Sequence, residues 1–149
     1  MFDAELAAQP AAYWTGVAYE SLIAFTRARQ VELGFTQPQF WLLRNLSPRD
    51  LRPEGGAATV PQLREAMRTY LRPEDDLEAE AAVLVDRGWL TRDDDGFRIT
   101  DAGERARVGL KEHAPAIRAL LHKDIDDADY VTTLKVLRQF IRNTGGPLD

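Results

Sequence analysis

TVPQLREAMRTYLRPEDDLEAEAAVLVDRGWLTRDDDGFRITDAG, residues 59–103, decides the fold. Residues 60–70 place Leu63, Ala66, Met67 and Tyr70 at helical spacing behind Thr59 as a cap. Pro61 falls in the first turn, where its missing N–H costs nothing. Leu71-Arg72-Pro73 is a turn, since the residue before a proline avoids the α region, and Pro73 is expected in the first turn of the helix that follows. Over residues 74–87 that helix carries a buried stripe of Leu77, Ala81, Leu84 and Val85, and Gly88 ends it. Leu90-Thr91-Arg92 and Phe97-Arg98-Ile99-Thr100 alternate in character around Asp93-Asp94-Asp95-Gly96, which predicts a hairpin with turn formers at its tip. Helix, tight turn, helix and hairpin together make a winged helix-turn-helix.

A unit of this kind lays its second helix in the major groove of DNA while the hairpin touches the flanking backbone. Its charge runs the other way here. Between residues 59 and 100 six arginines face ten carboxylates, a net of −4, and five of the acids (Glu74, Asp75, Asp76, Glu78, Glu80) fall in the expected reading helix. An acid about 10 Å from a phosphate costs on the order of 0.4 kcal/mol in a water-like dielectric before salt screening. Weak non-specific DNA affinity is therefore expected, because that affinity comes from Lys and Arg releasing counterions. Two accounts accommodate the acids. Glu74, Asp75 and Asp76 in a first helical turn suit the partial positive charge there and are then purely structural. Alternatively Asp76 or Glu78 accepts a hydrogen bond from cytosine N4 while Arg72, Arg92 and Arg98 hold phosphates.

The rest of the chain fits one domain over residues 1–149, the size at which a single core is usual. The apolar share of 44% and charged share of 29% are those of an ordinary folded protein rather than a disordered one. There are no cysteines, which removes disulfides, thiol sensing and thiolate metal sites. No apolar run is long enough to span a membrane and the first residues lack a basic leader, so a cytoplasmic location is expected. The net charge of −5 argues against indiscriminate nucleic-acid binding.

Residues 10–33 read as a helix with Trp14, Ala18, Leu22 and Phe25 on one stripe, Tyr13, Val17, Ser21 and Ala24 beside it, and Gly34 as its stop. So broad an apolar surface needs cover on more than one side, either as a central core helix or by packing on a second chain. Thr36 caps the next helix, with Pro38 in its first turn and Phe40, Leu43 and Leu46 facing inward. Ser47-Pro48 ends it, and an exposed loop follows with Pro53 and Gly55-Gly56. From Asp101 to about Lys123 a helix is expected, kinked at Pro115. A last helix begins at Asp126 or Asp127, carries Tyr130, Leu134, Leu137 and Ile141 on one stripe and Val136 and Phe140 on the next, and ends at Gly145-Gly146.

In this order of elements the chain resembles the MarR family of winged-helix regulators over nearly its whole length. The resemblance is carried by GFTQPQFWLLR (residues 34–44), LVDRGWLTR (84–92) and ITDAG (99–103). It implies a mainly α fold with a small β wing, a winged helix-turn-helix core over residues 35–103 and dimerisation helices over 10–33 and 104–145. It further implies a homodimer on a double-stranded operator, with a small phenolic or other anionic effector between the dimer helices and the reading unit. Carried over by position, DNA contacts fall on Thr59, Gln62, Arg72, Asp76, Glu78, Ala79, Arg92 and Arg98. The departures are equally specific. Family members commonly place Ser, Thr and Arg where this chain has Asp76, Glu78 and Ala79, and hold an Asp-x-Arg segment in a longer wing, where this short wing has three aspartates.

Tyr13, Trp14, Trp41, Arg44 and His113 are the candidate lining of an effector pocket, set against the plainer reading of aromatic residues at helical spacing as core. His113 and His122 stand nine residues apart, too far along a helix to share a metal, so no metal and no cofactor is expected. No Ser-His-Asp order, phosphate loop or carboxylate pair has the context its chemistry needs, and the chain reads as a non-enzyme. Two functions remain: a dimeric DNA-binding regulator modulated by a ligand, and a winged-helix module that binds a protein or ligand and not DNA.

Overall fold

The computed structural model describes residues 1–148 and divides them into two units, one to Ala114 and one from Pro115 onward. The first unit opens with α1 (Asp3–Ala7), a short helix that sequence periodicity did not suggest, followed by α2 (Ala11–Glu32) and α3 (Gln37–Leu46). Gly34, at φ 94°, supplies the left-handed residue that ends α2. The cap of α3 is reciprocal: Thr36 Oγ1 accepts from the Gln39 amide, and Gln39 Oε1 accepts from the Thr36 amide at 3.0 Å. Thr59 and Gln62 repeat this arrangement at the start of α4 (Val60–Ala66). The helix of the expected range 60–70 therefore stops four residues early, and its last residues form turns.

α5 (Leu77–Asp86) departs further from expectation. It begins at Leu77, with Asp76 as its N-cap accepting from the Ala79 amide at 3.1 Å. Pro73, Glu74 and Asp75 thus lie in the connection, not in a first helical turn. The reason is local: the Asp75 carboxylate accepts from the Arg72 amide at 2.8 Å, closing a turn that competes with helix at these residues. Leu77, Ala81 and Leu84 are buried as their spacing predicted, and Val85 packs against the same core from a half-buried position.

The wing is an antiparallel pair, β1 (Leu90–Asp93) and β2 (Gly96–Ile99), with Leu90 opposite Ile99 and Arg92 opposite Phe97. A bridge between Ala58 and Phe97 extends it by one residue from the strand side of α4. Gly96 is required at that point: its φ is 119°, and a Cβ there would stand 2.3 Å from the Ala58 oxygen. α6 (Asp101–Lys111) follows with Thr100 as its cap. Leu42, Leu43 and Leu46 of α3, Leu63 and Met67, the α5 stripe, Leu90 and Phe97 make one buried cluster. Each buried leucine, Met67 and Phe97 contributes about 1.5–3 kcal/mol by leaving water.

The expected long helix to about Lys123 is two helices, because Pro115 stops the first rather than bending it. α7 (Ala114–Leu121) starts the chain anew with Pro115 at its second residue, where a proline is tolerated. α8 (Asp127–Asn143) has Asp126 at its N-cap position, without a side-chain cap bond, and ends before Gly145, at φ 70°. Within this second unit His122 and the Arg118 guanidinium both lie against the Tyr130 ring.

Candidate nucleic-acid interface

Leu77, Ala81 and Leu84 point into the core, so α5 turns Glu78, Ala79, Ala82, Val83 and Asp86 to solvent. That outward strip is the surface a groove-reading helix needs. Most of the five acids assigned to it from sequence are elsewhere. Asp76 is consumed as the cap. Glu80 accepts the Thr36 hydroxyl proton at 2.7 Å, which ties α5 to the start of α3. Glu74 pairs with Arg72 at 3.2 Å. Asp75 takes both nitrogens of the Arg27 fork from α2, at 2.6 and 2.8 Å, and the Arg27 Nε donates to Gln37 at 3.0 Å. Asp75, Glu74 and Glu80 are thus engaged by side chains, and Asp76 by a backbone amide at the N-cap.

The cations are spoken for in the same way. Arg72 donates to Glu20 of α2 at 2.6 Å and to Glu74, and lines a cleft of about 200 Å³ with Glu20, Ile23, Ala24 and Arg27. Arg98 reaches Asp93 at 3.3 Å and Asp95 at 3.8 Å. Arg92 pairs with Glu78 across a second cleft, about 210 Å³, whose walls include Thr59, Val60, Pro61 and Phe97. Among the described residues between 59 and 100, Arg64 and Arg87 carry no ion pair, and Asp86 and Asp94 are the acids with neither an ion pair nor a hydrogen bond. Thr59, Glu78 and Arg92 are therefore brought together, whereas Arg72 stands against α2 and Arg98 at the wing tip.

Three carboxylates sit below their ordinary range: Asp93, held down chiefly by the Asp95 amide and Arg98, and the less exposed Asp75 and Asp50. Burial alone would raise Asp75, but the Arg27 hydrogen bonds, the Arg72 amide and both arginine charges outweigh it. Asp50 is likewise held down against its burial by hydrogen bonds and charge from Arg44 and by the charges of Arg107 and Lys111. Arg107 is buried, bridging Asp50 at 3.3 Å and Glu104 at 3.0 Å, while Glu104 also accepts from the buried Ser47 hydroxyl at 2.6 Å. A depressed carboxylate contributes stability that is complete above the unfolded value of 3.8 and is lost as pH falls through it toward the folded value. Urea unfolding of the wild type is expected to weaken steeply below about pH 4, and Asp75→Asn to flatten part of that fall. An acid limb identical in the two proteins would remove Asp75 from this account.

Within one chain the candidate effector residues fall at separate contacts, except that Arg44 and His113 flank the Phe40 and Phe35 rings. Tyr13 and Trp14 are exposed on α2 and meet each other edge-on at 5.3 Å. Trp41 packs on Tyr70 at 4.3 Å, Arg44 is engaged by Asp50 at 3.0 Å, and His113 stacks on Phe35 at 6.2 Å. A cleft of about 600 Å³ is bordered instead by Pro48, Arg49, Ile99, Thr100, Glu104 and Arg105. Arg27 and Glu20 had no signal in sequence, because their partners Asp75 and Arg72 lie 48 and 52 residues away. Among the described residues no group of His, Asp and Glu is placed to hold a metal.

The architecture is a winged helix-turn-helix, and the fold is that of the MarR-type regulators. A MarR family transcriptional regulator from Silicibacter pomeroyi superposes with a TM-score of 0.66 at 18% identity, over 97% of this chain and 99% of that one. MarR from E. coli in its reduced form gives 0.63 at 17% identity, over 89% and 94%. BpsR of Bordetella bronchiseptica, whose DNA binding is described as regulated by 6-hydroxynicotinic acid, gives 0.59 at 17% identity over the same shares. No family model matches the sequence, and no curated protein matches it.

Proposed function

We propose that this chain is a sequence-specific, DNA-binding transcriptional regulator that acts as a cytoplasmic homodimer and is not an enzyme. The observation that carries the reading is the outward strip of α5, presented beside a wing on a fold shared with transcriptional regulators. Thr59, Gln62, Glu78, Ala79, Arg92 and Arg98 are its proposed DNA contacts, and Arg72 and Asp76 shape the turn that delivers α5. The homodimer is supported by Tyr13, Trp14, Val17 and Leu22 of α2, which are 43–58% exposed, and by Val131, Leu134, Val136 and Phe140 of α8, at 41–48%. Apolar residues so exposed along whole helices mark interaction surfaces. The residue bounds proposed for the assembly are 10–33 and 104–145 for the dimer helices and 35–103 for the reading core. The likeness to BpsR supports a small-molecule effector, for which Tyr13, Trp14, Trp41, Arg44 and His113 remain the proposed side chains. Among the described residues no helix is long and apolar enough to cross a membrane.

One observation favours a second reading, an interaction module without DNA: the arginines of the reading unit are mostly paired with its own acids. Selection of bound fragments from the genomic neighbourhood of the gene separates the two. A regulator recovers a short pseudo-palindrome, with binding that weakens as salt rises, and sediments at twice the chain mass. Retention of no duplex even at low salt, or a monomer at micromolar concentration, would falsify the regulator reading.

A further inference from the structure

We propose that Glu78 and Arg92 exchange partners on binding DNA, and that this exchange makes Glu78 the residue separating a chosen sequence from any other. The inference rests on the DNA-binding reading above. Glu78 is the second residue of α5 and half exposed; Arg92, in β1, is equally exposed, and the two pair across the cleft between the reading helix and the wing. The Arg92 guanidinium also lies over the Phe97 ring, 4.8 Å from its centroid, so the side chain is positioned at the wing while one nitrogen of its fork, Nη1, meets the carboxylate.

A duplex offers Arg92 a phosphate. Taking it strands Glu78 beside a polyanion, desolvated and without a donor, so a sequence that gives Glu78 nothing gains little from the contact. A cytosine presents its N4 amino group in the major groove, and a carboxylate on a reading helix accepts from it. Glu78 then has a new partner and Arg92 is released to the backbone. Phosphate contact, ordinarily blind to sequence, becomes conditional on a base. The neighbouring pairs are less suited to this. Arg72 and Arg98 are each held by two carboxylates, Asp76 is bound to a backbone amide, and Glu80 is bound to Thr36.

The test uses the full chain. Affinities of wild type, Glu78→Gln and Arg92→Gln are measured on the selected duplex and on a scrambled duplex of equal length and composition, between 50 and 200 mM salt. Both side chains are exposed, so the variants fold, which a melting curve verifies. Glu78→Gln is expected to bind the scrambled duplex more tightly, with a slope of log affinity against log salt steeper by about 0.9 per subunit. Its preference for the selected duplex falls by roughly tenfold. Arg92→Gln loses the corresponding slope on the selected duplex and leaves the scrambled one unchanged. Slopes and preference unaltered in Glu78→Gln overturn the exchange and leave the regulator reading standing, and so does an equal loss on both duplexes. If no variant retains either duplex at 50 mM, the regulator reading fails and the exchange with it.

Discussion

Gly103→Ala is expected to lower the melting temperature by roughly 4–8 °C, while Gly109→Ala, six residues along the same helix, raises it by roughly 2–4 °C. In an exposed helix interior the exchange of glycine for alanine stabilises by up to about 1 kcal/mol, since glycine loses more backbone freedom on folding. Gly109, half-buried near the end of α6, has nothing within 4 Å of where a Cβ would stand, so part of that gain is expected. At Gly103 the same atom would sit 2.1 Å from the Trp89 oxygen and 2.8 Å from Ile99 Cγ1. The opposing group is backbone and is fixed, because the Trp89 carbonyl accepts the Thr100 amide at 3.0 Å and Thr100 in turn caps α6 through the Gly103 amide. Overpacking costs about 1–3 kcal/mol and sometimes more; against rigid backbone the cost falls at the upper end and outweighs the propensity gain. The measurement is calorimetric melting of both variants beside wild type. If Gly103→Ala also raises the melting temperature, the close approach of α6 to the wing is wrong.

What the sequence made legible was whatever is written within about five residues. Thr36 with Gln39 and Thr59 with Gln62 are reciprocal caps three residues apart, and both helices begin where those pairs put them. The wing follows from alternation around a run of turn formers, and the α5 stripe from spacing alone. The start of α5 differs from expectation because Pro73 and three acids resemble a first helical turn, while Asp75 instead closes a turn on the Arg72 amide and is held there by Arg27, 48 residues earlier on α2. The same limitation distorted the interface. Counting charges gave a repulsive reading helix, yet position by position the acids are caps, turn closures and ion-pair partners, and only Glu78 and Asp86 remain on the outward strip. Net charge is a sum over residues and carries no information about pairing; each ion pair within the unit occupies an arginine together with an acid, so the balance of −4 is unchanged by where the acids sit.

Arg27→Met is expected to destabilise the protein by about 2–4 kcal/mol. Removing one member of a buried pair typically costs about 3–5 kcal/mol, because a charge is left in a poorly solvated place without its partner. Asp75 is such a charge, with 6% of its side chain exposed; Arg27 is 20% exposed, so some water reaches the gap and the cost falls short of the full range. By contrast, an exposed pair such as Arg68 with Glu65 contributes about 0–1 kcal/mol. The loss should be recoverable. In Arg27→Met with Asp75→Asn the buried charge is gone, while the amide oxygen still accepts from the Arg72 backbone, so the double variant costs less than the two single losses added, by about 1 kcal/mol or more. Urea unfolding of the four proteins closes this cycle. A cost below about 0.5 kcal/mol for Arg27→Met, the range of ordinary surface substitutions, would show that the pair does not support the turn. Function follows from the same contact. Arg27 belongs to the proposed dimer helix and Asp75 to the connection that sets where α5 begins, so α2 fixes the entry of the reading helix through one bidentate pair. A variant that folds without that pair is expected to bind the selected duplex less tightly at every salt concentration, with the salt slope unchanged, because no phosphate contact has been removed.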